Sequence, residues 1–498
     1  MFNVSTYTKR REQLKHQMGC GGLLLFLGNE ESAMNYADNT YPFRQDSTFL
    51  YYFGVDHPGY AAIIDLDEDR TTVFADDLTI DAIVWTGNLP TVAELAALGG
   101  VKDSRPTADL ADFLFEAKAK GRKIHFLPPY RPENKIKLTD LLAVSPAKTK
   151  DEASVPFIRA VAEMRAVKSA EEVEEIEKGV NTSVDMHLAA MHMVRPGMKE
   201  VAVAARVTEI ALAAGGNLAF PVIATIHGET LHNHAHHNAL KRGDLFLLDC
   251  GAETTMHYAG DLTSTFPVDK SFTSRQQDIY HVVLAAHFAA LDKARPGIPM
   301  REVHRTACRA LAEGLKALGL MKGDLDEAVA QGAHALFFQC GTGHMLGLDV
   351  HDMEDLGEVW VGYEGQPKST QFGLKSLRLA RPLKPGFVFT VEPGLYFIPE
   401  LIQRWKAENK FTEFVNYAAL ASYEDFGGIR IEENLLITET GKRILPAYAS
   451  DNYISLLSGE KKTITIRCAT RDAAKNMNIS LDGWNIKPVN VAQEFESN

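Results

Sequence analysis

Residues 339–352 read QCGTGHMLGLDVHD, and the interpretation of the chain turns on them. Two histidines, His344 and His351, stand seven positions apart among glycines and apolar residues, with Asp352 following the second. Upstream, residues 245–268 read LFLLDCGAETTMHYAGDLTSTFPV and bring Asp249 and Asp261. Downstream, FVFTVEPGLYF (387–397) carries Glu392 and GGIRIEENLLIT (427–438) carries Glu432. The acids sit in apolar, β-prone surroundings, an unusual place for a surface carboxylate. The chain reads as one arranged to bring four carboxylates and one imidazole to a single point.

Asp249 closes one strand and Asp261 opens the next, so a hairpin can bring both acids together. Two adjacent buried carboxylates repel, and one must take up a proton unless a cation lies between them. Two divalent cations balance four carboxylates in formal charge. The ligand set is then Asp249, Asp261, His344, Glu392 and Glu432. Rich in oxygen, with one imidazole and no sulfur, it favours Mn²⁺ first, with Co²⁺ or Zn²⁺ as alternatives. Such a pair serves hydrolysis: it activates a water and stabilises the oxyanion of a tetrahedral intermediate. His351 is close enough in sequence to share the pocket. Arg430 is two residues from Glu432 and so on the same face of a strand, where it can orient a metal-bound carboxylate.

These segments resemble the metallopeptidases of the "pita-bread" family, on the proline-specific branch of aminopeptidase P and prolidase. The matching stretches are DCGAETTMHYAGDLTSTFPV, GTGHMLGLDVHD, TVEPGLY and GIRIEEN, in the family's order, and PFRQDSTFLYYFGVDHPG (42–59) resembles the non-catalytic domain of aminopeptidase P. The resemblance implies the same five dinuclear ligands. It places catalytic histidines at His232 and His351, which would contact substrate and stabilise the intermediate, and lets Glu392 double as the acid/base. The reaction it implies is release of the residue before a proline in second position, an Xaa-Pro aminopeptidase. The alternatives are an Xaa-Pro dipeptidase, a metal-free C–N hydrolase of the creatinase type and a non-catalytic binding protein on the same fold. A homodimer is expected, and phosphotriester hydrolysis as a side activity.

Two departures from the family pattern bear on detail. The two aspartates are twelve positions apart where the family has eleven, so either a one-residue bulge or a wider turn at MHYAG is expected. Cys340 stands where many members have a histidine. Taken singly, each ligand has a plainer reading, since an aspartate near a hairpin is usually a turn residue. The cluster His227, His232, His234, His236 and His237 fits a solvated or gating loop better than a metal site of its own, and Cys250 beside Asp249 points away and packs.

The remainder of the chain sets limits. At 498 residues it exceeds one ordinary core. We expect an α/β (α+β) protein with an N-terminal α/β domain over 1–160, a pseudo-symmetric catalytic domain over 161–450 with a curved antiparallel sheet, and an extension over 451–498 with strand-like runs such as TITIR. A net charge of −13 with no basic block argues against nucleic acid or an anionic membrane surface as partner. The five scattered cysteines form no CxxC pair, and no signal-peptide pattern or membrane-length apolar run is present, so a cytoplasmic location is expected.

Local patterns predict a helix over 5–17 capped by Ser5 or Thr6. Strands are predicted at LLLFLG, FLYYFGV, YAAIIDL, TTVFA and IHFLP, and helices at TVAELAAL and ADLADFLFEAKAKG. Arg44, Asp46 and His57 read as structural or surface residues. Ser169 and Glu172 form a capping box before a long helix. The phrase helix, R-P-G, helix occurs at residue 195 and again at 295, suggesting two related halves. Residues 357–383 and the loop 399–426 read as insertions between site-bearing strands.

Overall fold

The computed structural model describes residues 1–445 and the strands Ser480–Gly483 and Ile486–Asn490; TITIR lies outside the described residues. The chain divides into two units: residues 1–166 with 353–366, and residues 167–352 with the remainder from 367.

In the first unit, α1 (Val4–Met18) leads into β1 (Leu23–Leu27), α2 (Ser47–Phe53), β2 (Ala61–Asp65) and β3 (Arg70–Phe74). Then come α3 (Ile80–Thr86), α4 (Val92–Leu98), β4 (Asp103–Arg105), α5 (Asp109–Ala119), β5 (Ile124–Phe126), α6 (Pro132–Leu142) and α7 (Val155–Ala166). The strands form one mixed sheet in the order β4-β3-β2-β1-β5, parallel only at its two outer pairs. Asn3, rather than Ser5 or Thr6, caps α1, its side chain accepting the Ser5 N–H. FLYYFGV is not a strand. Asp46 caps the Phe49 N–H at 2.9 Å and Gly54 ends the turn in the left-handed region, making α2. All seven residues of α2 are buried, so packing on every side overrides the aromatic preference for strands. The carbonyls of Tyr51 and Tyr52, orphaned at its end, accept from Arg10 and Arg11 of α1.

In the second unit, α8 (Ala170–Met193) starts on the Ser169/Glu172 capping box, and α9 (Glu200–Ala213) follows the first R-P-G. Next are β6 (Asn217–Leu218), β7 (Ile223–Thr225), β8 (Leu245–Cys250), β9 (Ala252–Glu253) and β10 (Leu262–Pro267). α10 (Ser274–Lys293) and α11 (Met300–Ala317) flank the second R-P-G, before α12 (Leu325–Gln331) and a 3₁₀ turn at Ala333–Leu336. The short α13 (Glu358–Val361) falls in the stretch that belongs to the first unit, where it packs on α7. The chain then forms β11 (Val388–Val391), β12 (Gly394–Phe397), β13 (Gly427–Arg430), β14 (Glu433–Ile437) and β15 (Lys442–Leu445). Residues 399–426 are not simply a loop: they hold α14 (Pro399–Ala407), opened by its proline, and α15 (Tyr417–Leu420).

The two R-P-G phrases do the same structural job. Gly197 and Gly297 both adopt positive φ, and each donates its N–H to a leucine carbonyl at 2.8 Å, Leu240 in one case and Leu383 in the other. Nine residues after each leucine comes a site acid, Asp249 or Glu392. The strands pair antiparallel as β10-β8-β7, β11-β14-β15 and β12-β13. Isolated bridges Thr263↔Glu432 and Met345↔Phe389 tie these small sheets together around the acids.

Candidate metal centre

The β8–β10 hairpin carries the first two acids. Cys250 pairs with Leu262 and Asp249 with Thr263, and the same register continues through the Glu253↔Ala259 bridge to the Thr254–Tyr258 turn. No bulge is needed. A separation of twelve is even, so an unbroken ladder already puts Asp249 and Asp261 on one face. The extra residue is taken up in the turn, where His257 adopts φ 65°.

The second pair of acids comes from the other half. Glu392 follows β11, its N–H donating to Thr342 O at 2.8 Å, and Glu432 lies between β13 and β14 with its N–H on Thr263 O at 3.1 Å. His344 is held in the segment beside β11 by its own N–H, which donates to Thr390 Oγ1 at 3.1 Å. Its ring Nδ1 donates to the Met345 carbonyl at 3.0 Å, which fixes the ring with Nε2 turned toward the acids. That Nε2 lies 3.3 Å from Asp261 and 3.5 Å from Glu392. One donor atom each from Asp261, His344 and Glu432 falls within a 4.8 Å cluster.

Electrostatics show how crowded these acids are. Burial, then Asp249 and Glu392, hold the Asp261 carboxyl well above the usual range. Burial followed by Asp261, Glu392 and Asp249 does the same to Glu432. Glu392 is also raised by burial, against the pull of His344 and Arg430. Asp261 Oδ1 and Glu432 Oε1 are buried without a hydrogen-bond partner. Four carboxylates, two orphaned oxygens and an imidazole nitrogen turned toward them fit a divalent cation by their donor chemistry.

Arg430 is 3 % exposed and reaches Asp249 through Nη2, Tyr396 Oη at 2.9 Å through Nη1 and Thr263 Oγ1 at 3.1 Å through Nε. Thr263 in turn donates to Glu432 Oε2 at 2.6 Å. Thr390 plays the matching part in the other half, donating to Glu392 Oε1 at 3.2 Å. Asn434 clamps Asp261 by its backbone, accepting the Asp261 N–H at 3.2 Å and donating to its carbonyl. Thr263, Thr390, Tyr396 and Asn434 were not singled out in sequence. The available signal was polar residues at alternate positions in buried strands (261, 263, 265; 430, 432, 434).

The histidines differ in setting. The His351 ring lies 4.2 Å from that of His344, edge to face. His232 is exposed on a loop, yet its imidazole is pushed down by partial burial and by Arg430, and Asp249 offsets part of this. Its neighbours serve that loop: His227 meets Glu229 at 3.0 Å and His236 the Val222 carbonyl at 3.0 Å. Asp352 forms a buried ion pair with Lys168 at 2.7 Å. Cys250 packs in the core with its sulfur 3.5 Å from His187. Burial and Glu392 push the Cys340 thiol up to about 12, which leaves it an unreactive thiol 3.9 Å from Tyr396 Oη.

Comparison with known proteins decides the family. Residues 174–439, more than half of the chain, match metallopeptidase family M24. The chain belongs to that family. Residues 7–125 match the aminopeptidase P N-terminal domain ahead of the M24 region. Residues 429–486, mostly beyond the M24 match, resemble the Ig-fold domain of exo-β-D-glucosaminidase. Among M24 relatives, human Xaa-Pro dipeptidase is 30 % identical over 85 % of this chain and 86 % of its own. Xaa-Pro aminopeptidase of Escherichia coli is 30 % identical over 89 % and 94 %. A substrate complex of E. coli aminopeptidase P superposes with TM-score 0.73 at 29 % identity, covering 90 % of this chain and 95 % of that one. Pseudomonas aeruginosa aminopeptidase PepP gives 0.73 at 27 %, over 89 % and 94 %. A zinc-substituted product complex of the E. coli enzyme gives 0.73 at 30 %, over 90 % and 95 %. As an M24 member this chain is a metal-dependent peptide hydrolase with an N-terminal domain ahead of its catalytic domain. No helix among the described residues is long and apolar enough to cross a membrane.

Proposed function

We propose that the chain is an Xaa-Pro aminopeptidase, hydrolysing the bond between an N-terminal residue and a following proline. The observation that carries this reading is the convergence of Asp249, Asp261, His344, Glu392 and Glu432, in a chain matching aminopeptidase P structures over 94–95 % of their length. These five residues would hold two divalent ions, Mn²⁺ first. When bound, such ions acidify a water and polarise the substrate carbonyl.

The chain's own groups do the rest. Arg430 and Thr263 keep Asp249 and Glu432 in orientation. Glu392, held by Thr390 and raised by burial, takes a proton from the attacking water and returns it to the leaving proline nitrogen. His351 and His232, whose imidazole burial and Arg430 push down, donate hydrogen bonds to the substrate and to the developing oxyanion.

The likeness to human Xaa-Pro dipeptidase supports a second reading, in which only dipeptides are cleaved. An Xaa-Pro dipeptide and an Xaa-Pro-Yaa tripeptide, each assayed in Mn²⁺ and in chelator beside Asp261→Asn, separate the two. Metal-dependent tripeptide cleavage lost in the variant supports the aminopeptidase. Dipeptide cleavage alone moves the assignment to dipeptidase, and cleavage of neither overturns both. Cys20, Cys250, Cys308 and Cys340 are all free thiols, which suits the reducing cytoplasm as the working compartment.

A further inference from the structure

A second cluster of ligand-type side chains lies outside the carboxylate centre. His304 and Cys308 are one turn apart on α11, a spacing that puts both on the same helix face. Both are buried, at 1 % and 0 % exposure. His334 joins them from the 3₁₀ turn, which follows α12 directly because Gly332 adopts φ 89°. One donor atom from each of the three falls within 4.8 Å of the others, and Cys308 Sγ is 3.5 Å from His304 Nε2.

The hydrogen bonds leave ligand-type atoms of this cluster unused. His304 Nδ1 is 2.8 Å from Thr342 Oγ1, an arrangement that can hold the proton on Nδ1 and turn the Nε2 lone pair toward the sulfur. His334 is 94 % buried, and neither ring nitrogen has a hydrogen-bond partner. Buried imidazoles in native proteins nearly always find a partner, so this one needs an explanation. Burial pushes both imidazoles down and the Cys308 thiol up, so the rings are neutral and the sulfur ionises only against a cation placed beside it.

We propose that His304, Cys308 and His334 form a second metal site that takes Zn²⁺ or another borderline-to-soft cation. Two imidazoles and a thiolate are the donor types of a zinc site, whereas the five residues of the carboxylate ligand set include no sulfur. On binding, the Cys308 thiol gives up its proton to solvent and its sulfur becomes the third ligand. The site has a structural role: it pins α11 to the turn after α12. Through Thr342, whose carbonyl accepts the Glu392 N–H, it also backs the segment that carries His344.

Among the described residues the carboxylate ligand set contains no thiol, so thiolate-to-cobalt charge transfer that depends on Cys308 reports on this site. Full-length chain expressed in cobalt-supplemented medium should show thiolate-to-cobalt charge-transfer absorption, lost in Cys308→Ser and in His334→Gln. Zinc-grown protein should carry one equivalent of zinc per chain more than Cys308→Ser, with both forms still folded by circular dichroism. Absence of the band in the wild type, its persistence in Cys308→Ser, or equal zinc content in the two would overturn the proposal. Should Cys308→Ser fail to fold, His334→Gln, whose side chain can still hydrogen-bond, decides the matter by the same band and the same equivalent.

Discussion

Thr263 has one hydroxyl, and both directions of its hydrogen bonding are used, accepting from Arg430 and donating to Glu432. Thr263→Val keeps the volume but leaves a buried guanidinium N–H and a buried carboxylate oxygen unpaired. We expect peptidase activity to fall by roughly 10- to 100-fold, as for loss of partners that orient metal ligands. Weaker metal binding should accompany this, and Thr263→Ser should restore most of it; steady-state kinetics with metal titration reads both. A second residue links burial to pH. His187 is fully buried between Ser264 and the Cys250 carbonyl, and burial lowers it from 6.5 to about 4. Above about pH 6.5 it is neutral folded and unfolded, and costs nothing. As pH falls, the unfolded chain takes up a proton that the folded one excludes, so stability declines until about pH 4, by ~3 kcal/mol in all. Urea midpoints measured across that window should fall less steeply in His187→Gln than in the wild type.

Among the elements, the 341–346 segment and β11 approach so closely that Gly343 has no room for a side chain: a Cβ there would meet Thr390 O at 1.9 Å. Gly343→Ala must push the segment off β11 and take His344 with it. We expect activity to drop by about 100-fold or more with secondary structure retained, since a misplacement of about 1 Å already costs that much; kinetics beside circular dichroism would check it. Elements in which local pattern and packing agree were readable from sequence, among them β8, β10, the Ser169 capping box and the paired R-P-G turns. FLYYFGV was misread because a segment buried on every side has no period to betray it, leaving the Asp46 cap as the only cue. The acids and His344 stood out because charge in an apolar strand is conspicuous. Thr263 and Asn434 did not, because their partners lie 169 and 173 positions away and only folding brings them within reach.

For the molecule as a whole, metal and stability are linked. An ion that binds only the folded chain stabilises it by about 2.7 kcal/mol at one hundred times its dissociation constant. Chelation should therefore lower the melting temperature and Mn²⁺ should restore it; an unchanged melt would mean the acids bind no ion. The mass in solution is a separate check, for which we expect twice the 55.0 kDa chain by light scattering. The stretch 353–366 bears on how such an enzyme can be rebuilt. The chain passes between its two units three times, and the second passage comes straight after His351 and Asp352. A graft that exchanges the first unit by splicing at residue 166 alone would leave a hybrid, with α7 deprived of the α13 segment it packs against. Recombination between relatives must therefore exchange two separate pieces at once, so the first unit and the residues just beyond His351 are inherited as a linked pair.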